Sequence, residues 1–155
     1  MKDGLIMKII VICIAMISPI IFVLGHGFER SISAYWNTEF RPLFIVTNAL
    51  TSYFLFTMIR WRISGIAMML LTAFAVDQYL VMHNIFAGVF FVWTFFILLF
   101  DKRFAFYSLI YLCCGIISIF WILLGEILVV ETIVAYHLHS LIYTIRIKKR
   151  RRGYR

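Results

Sequence analysis

Charge is scarce in this chain, and acidic charge scarcest. Its 155 residues hold seven Asp and Glu against fifteen Lys and Arg, so that 14% are charged while 64% are hydrophobic. Soluble domains average about 25% charged and 45–50% apolar residues, which excludes a water-solvated globule. Cysteine is nearly absent: Cys13, Cys113 and Cys114 offer no CxxC spacing, which excludes a disulfide framework and a zinc ribbon and leaves three small buried hydrophobes. Motifs are missing too. The chain contains no P-loop, GxSxG, HExxH, GxGxxG or CxxCH, so the usual signatures of nucleotide binding, hydrolysis and haem attachment are lacking. Almost no polar mass is left in which to house a conventional active site.

What is present is a series of long apolar runs. In hydrocarbon every backbone donor and acceptor must be satisfied within the chain, so spanning segments are helices or a closed barrel. The runs lack period-two alternation, which selects an all-α fold. A span needs about 20 residues, and six are read: Leu5 to Leu24, Pro42 to Ile59, Ile63 to Met82, His83 to Phe100, Phe104 to Leu124, and Ile127 to Ile145. Pro42 suits a first helical turn, and Pro19 should bend the first span. The stretch Ile63 to Phe100 is almost unbroken; as one helix it would be about 57 Å long, so a tight hairpin at His83 and Asn84 is expected. The first run follows Lys2 as a signal peptide would, but it exceeds the roughly 7 to 15 residues of a signal core and is read as a retained helix.

The basic residues orient the bundle. With both termini in the cytoplasm, Lys2, Lys8, Arg60, Arg62, Lys102, Arg103 and the tail RIKKRRRGYR all lie inside, leaving Arg30 and Arg41 outside, as the positive-inside rule requires. The chain thus divides into a six-helix transmembrane domain, residues 1–145, and a polybasic tail, residues 146–155. Lys148, Lys149, Arg150, Arg151 and Arg152 of that tail are expected to attract anionic lipid head groups, at about 1 kcal/mol per basic residue near the surface, rather than nucleic acid. A bacterial inner membrane or its equivalent is the expected location, with a homo-oligomer or another membrane protein as further partner.

Most acids fall on the outer side: Glu29, Glu39, Asp77, Glu126 and Glu131. Ionisable residues within spans face a partner or a wet cavity, which singles out Asp77 in the outer part of the third span, His83 at the expected hairpin turn, and Glu131, His137 and His139 in the last span. His137 and His139 point about 200° apart on a helix, so they cannot share one metal site on the same face. Thr47, Asn48, Thr51 and Ser52 form a stripe of the kind that joins helices. The loop from Gly25 to Pro42 adds Ser33 and Tyr35 on the same outer side, and a short interfacial helix seated by Tyr35 and Trp36 is expected there.

Within that loop Arg30, Ser31, Ile32, Ser33, Ala34, Tyr35 and Trp36, followed by Thr38, Arg41 and Phe44, resemble a block in bacterial polytopic membrane proteins of unassigned activity, and the span from His83 to Phe100 is similar to their histidine-led span. The six-helix layout with a serine-containing outer loop is distantly similar to the Frag/DRAM/Sfk-like proteins, a resemblance that implies a role in membrane organisation. Ser33, Asp77 and His83 also match the residue types of the ceramidase-like (CREST) membrane hydrolases, which implies a zinc site of serine, aspartate and histidines. This chain departs from that family in having His137-Leu138-His139 where the family has a His-x-x-x-His pair, and in being one span short.

The reading that results is a small, non-enzymatic polytopic membrane protein. Its outer polar pocket, of Ser33, Tyr35, Asp77, His83, Glu131 and His139, is expected to bind a lipid head group, a cation or a membrane partner without a cofactor. Two alternatives stand beside it: a lipid hydrolase with zinc on Asp77, His83 and His137 or His139, and a small transporter or proton-coupled channel using Asp77, Glu131 and His139.

Overall fold

A computed structural model describes the backbone of residues 2–153 and the side chains of residues 5–147. The fold is all-α, with no strand among the described residues. Helix α1 is Lys2–His26, α2 Arg41–Thr57, α3 Arg62–Ala73, α4 Leu80–Phe100, α5 Phe106–Phe120 and α6 Ile122–Gly153. Each helix packs on the next in sequence and α6 returns to α1, which closes a six-membered ring. In three of them the segments Leu5–His26, Leu80–Phe100 and Ile122–Ile147 are long and apolar enough to cross a membrane. The exterior is greasy, with Ile20, Val81, Phe100 and Ile119 among its exposed side chains, as lipid contact requires.

Pro42 occupies the first turn of α2 as expected. Pro19 lies inside an unbroken α1; the carbonyl of Ala15, which its missing N–H cannot reach, is approached at 3.5 Å by the Ser18 hydroxyl. Of the three cysteines only Cys114 is buried, whereas Cys13 and Cys113 face outward. In lipid a thiol on the exterior of a helix is not expelled as it would be toward water, so the expectation of three buried cysteines fails.

Two boundaries differ from those expected. The hairpin after α3 turns at Phe74 to Tyr79, not at His83 and Asn84, and Asp77 is an exposed turn residue instead of a member of a span. His83 sits one turn inside α4 and reaches back: its Nδ1 lies 3.1 Å from the carbonyl of Leu71 and 2.8 Å from that of Phe74. Those carbonyls are among the ones the end of α3 leaves unpaired, so the histidine closes the preceding helix and does not mark the turn. The second difference is at α5 and α6, which break at Trp121, so that Gly125 and Glu126 lie inside α6. A Cβ at Gly125 would collide with the backbone of Ser118; this glycine serves close helix packing, not a turn.

Buried polar pairs tie neighbouring helices together. Ser64 of α3 and Thr94 of α4 are fully buried and their hydroxyls are 3.0 Å apart. Tyr136 of α6 donates to Oδ2 of the buried Asp101 at 2.8 Å. Between lipid-solvated helices such bonds and tight packing replace the hydrophobic drive that water would supply.

Candidate ligand-binding site beneath the 31–38 loop

Gly27, at φ +99, turns the chain out of α1 in a left-handed conformation that suits glycine. The following segment folds as a 3-10 helix, Ile32–Asn37, laid against α2 and α6. Tyr35 pins it down: the side chain is fully buried, its ring stacks on Phe22 at 5.1 Å, and its hydroxyl donates to the carbonyl of Gly27 at 2.6 Å. Burial raises the phenol's pKa above its usual value, so it stays a donor. Trp36 lies under the Arg41 guanidinium at 4.4 Å, a cation–π contact. The short helix seated by Tyr35 and Trp36 is therefore present, and it is a packed lid.

A clasp secures the lid's edge. His26 places Nδ1 3.0 Å from Oε1 of Glu39 and Nε2 3.0 Å from Oε1 of Glu29. Carboxylates only accept, so the form that satisfies both contacts is the imidazolium, with a proton on each nitrogen. The hydrogen bond from His26 holds the Glu39 carboxyl below the usual carboxylate range.

Beneath the lid is a cavity of about 90 Å³ between α2, α3, α4 and α6. Its polar lining is Ser33 from the lid, Asn48 from α2, His83 from α4 and Glu126 from α6, set among apolar side chains that include Phe44, Phe90 and Phe91. Oε2 of Glu126 accepts the backbone N–H of Ile32 at 2.6 Å. Oε1 of the same carboxylate has no hydrogen-bond partner among the described residues. Because the carbonyls of Leu71 and Phe74 can only accept, Nδ1 of His83 carries a proton, and in the neutral ring Nε2 is the free acceptor. The Ser31 and Ser33 hydroxyls share a hydrogen bond at 3.0 Å. The lining is thus rich in acceptors and contains no cationic side chain among the described residues.

Of the six residues expected to form an outer pocket, Ser33 and His83 meet on this cavity, and Tyr35 supports it from the lid. Asp77 is exposed in the α3–α4 turn and does not line the cavity. Glu131 lies on α6, deeper than Glu126, with Oε1 buried and unpartnered. His139 belongs to the opposite end of the ring, with Nδ1 3.4 Å from the Tyr107 hydroxyl and its ring 4.8 Å from that of Phe104. The residues considered for zinc are similarly divided. Asp77 and His83 flank the α3–α4 turn, while His137 packs on Trp61 at 4.6 Å at the other end of α3. Among the described residues no group of three or more His, Cys, Asp or Glu side chains is placed to hold a metal. The side chains of Lys148, Lys149, Arg150, Arg151 and Arg152 lie outside the described residues.

Two cavity residues were absent from the set read from sequence. Glu126 is one of the outer acids but falls between the expected fifth and sixth spans, which end at Leu124 and begin at Ile127. Asn48 was read as helix glue. The usable signal was the run of apolar residues from Ile122 to Leu124, which continues α6 upstream of Glu126 by a full turn. No protein family, curated protein or solved structure matches the chain.

Proposed function

We propose that this chain is a six-span membrane protein with both termini in the cytoplasm, and that it binds, without catalysis, the ammonium group of a lipid head group in the cavity roofed by residues 31–38. Three helices carry spanning segments by length and apolarity; the closed ring makes α2, α3 and α5 their neighbours in the same layer. At about 18 Å, the 12-residue α3 is short of the roughly 30 Å core. The N-in, C-in orientation rests on the clustering of Lys8, Arg60, Arg62, Lys102 and Arg103 toward one end, with Arg30 and Arg41 at the other. A bacterial inner membrane suits this arrangement.

One observation carries the ligand assignment. Glu126 gives one carboxylate oxygen to the backbone of the lid, and its side chain lines an acceptor-bearing cavity. A half-buried carboxylate among apolar side chains is stabilised by a partner, and a donor-rich cation supplies one. The test is photo-crosslinking in nanodiscs of the full chain with two diazirine phospholipids that differ only in head group, ethanolamine or glycerol. The ethanolamine probe should label the wild type preferentially, and Glu126→Gln should lower that preference about tenfold or more, as for a lost hydrogen bond to a charged group. Equal labelling by both probes would refute the assignment.

A second reading, a proton-coupled carrier, draws support from the buried and unpartnered polar atoms of Thr47, Thr51 and Ser52 on α2 and of Glu131 and His137 on α6. Proton flux measured in proteoliposomes tests it; tight vesicles with no flux above the lipid background would exclude it.

A further inference from the structure

The same glutamate that lines the lidded cavity also lines a second, larger space. Between α4 on one side and α5 and α6 on the other runs an apolar groove of about 430 Å³, walled by Val92, Phe96, Leu112 and Gly115 among others, with Glu126 on its lining. That volume lies within the roughly 300–1,000 Å³ usual for ligand pockets. Its lining is mostly hydrocarbon, with Glu126 on the α6 wall as its one charged side chain and Tyr111 and Ser118 as its other polar groups, a composition that suits an amphiphile with an apolar chain and a cationic head.

The geometry points to a lipid-chain site: the α4–α5–α6 groove seats the acyl or alkyl chain of the same ligand whose ammonium group meets Glu126. This inference rests on the head-group reading above, and it fixes the ligand class as an alkylammonium or ammonium-headed lipid that enters sideways from the bilayer. Hydrophobicity alone does not favour the groove over the surrounding lipid, because bilayer tails are as apolar as its walls. Charge complementarity does. A neutral or anionic amphiphile has no preference for a groove lined by a carboxylate, whereas an ammonium can leave its chain in the groove and bind Glu126 at the same time. Gly115 keeps the floor of the groove open, since a Cβ built there meets nothing within 4 Å.

The test uses the full chain in nanodiscs and a long-chain fatty amine carrying a diazirine near its methyl end, with labelled residues located by mass spectrometry. Labelling of Val92, Phe96 and Leu112 should exceed that of Ile20 and Ile21, exposed apolar residues of α1, by about tenfold or more. Gly115→Leu should fill the groove and abolish the excess while leaving Ile20 labelling unchanged; Leu112→Trp fills it from the same wall if the first variant does not fold. Labelling spread evenly over exposed apolar residues, or an excess that survives both fillings, would overturn the chain site. An excess that survives Glu126→Gln but not Gly115→Leu would refute the head-group reading and leave the groove standing.

Discussion

The backbone N–H of Ile32 donates to Oε2 of Glu126 at 2.6 Å, joining residues 94 positions apart in the chain. This contact turns a polar loop into a roof, because it ties the 3-10 helix of the lid to a helix on the far side of the cavity.

Removing the acceptor should therefore loosen the lid. Glu126→Ala is expected to speed amide exchange over residues 31–38 and to cost about 1.5–3 kcal/mol of stability, the range for a hydrogen bond to a charged group. Glu126→Gln, which keeps a side-chain oxygen, should retain most of the protection. Hydrogen exchange read by mass spectrometry distinguishes the two; equal protection in wild type and Glu126→Ala would show that the bond does not hold the lid.

The clasp at His26 gives the lid a pH window. The Glu39 carboxyl is held below its ordinary range by the hydrogen bond from His26, so its contribution is present above the ordinary carboxylate pKa of about 4.3 and is lost as pH falls through the lowered value. The imidazolium that serves both Glu29 and Glu39 loses one donor when the ring deprotonates at higher pH. Lid exchange, corrected for intrinsic rate, should be slowest between those limits, and His26→Ala should flatten the profile. A profile unchanged by that substitution would remove the clasp from the account.

Glycine at position 65 sets the distance between α2 and α3. A Cβ there would lie 2.6 Å from the backbone nitrogen of Phe56 and 2.8 Å from the carbonyl oxygen of Ser52. Backbone cannot swing aside as a side chain can, so Gly65→Ala should destabilise the bundle by about 1–3 kcal/mol. Gly88→Ala is the control: its Cβ meets nothing within 4 Å, and alanine in a helix is favoured by about 0.5–1 kcal/mol. Unfolding in mixed micelles compares them.

At the opposite end of the ring Tyr136→Phe should leave the buried Asp101 without its 2.8 Å donor. The expected loss is about 1–3 kcal/mol, measured by the same unfolding assay. Among the described residues Asp101 then keeps only its contacts with Arg103, which reach the other carboxylate oxygen.

The class of fold was legible from composition, because an apolar chain in lipid has few solutions and the runs were aperiodic. Helix ends were harder to read. His83 looked like a turn marker, yet a histidine donor is also what the exposed carbonyls at the end of α3 need. The break expected after Leu124 falls at Trp121 instead, and Gly125 serves close packing on Ser118. These two boundary errors displaced Asp77 into a span and Glu126 out of one, and so misassigned the acid that lines the cavity. Ser33 and His83, both expected in the outer pocket, line the cavity from the lid and from α4. His139 was misplaced for a different reason: azimuth on a helix can be computed from sequence, but which end of the ring it serves depends on where α6 begins.

The central claim is that Glu126 binds an ammonium group. The chain has four glutamates, Glu29, Glu39, Glu126 and Glu131, so the carboxyl resonances of a 13C-glutamate-labelled sample in nanodiscs are few enough to assign by Glu126→Gln. Titration with a long-chain alkylammonium should shift the Glu126 resonance in a saturable way and leave Glu131 in place. A Glu126 resonance unmoved at saturating amphiphile would contradict the account.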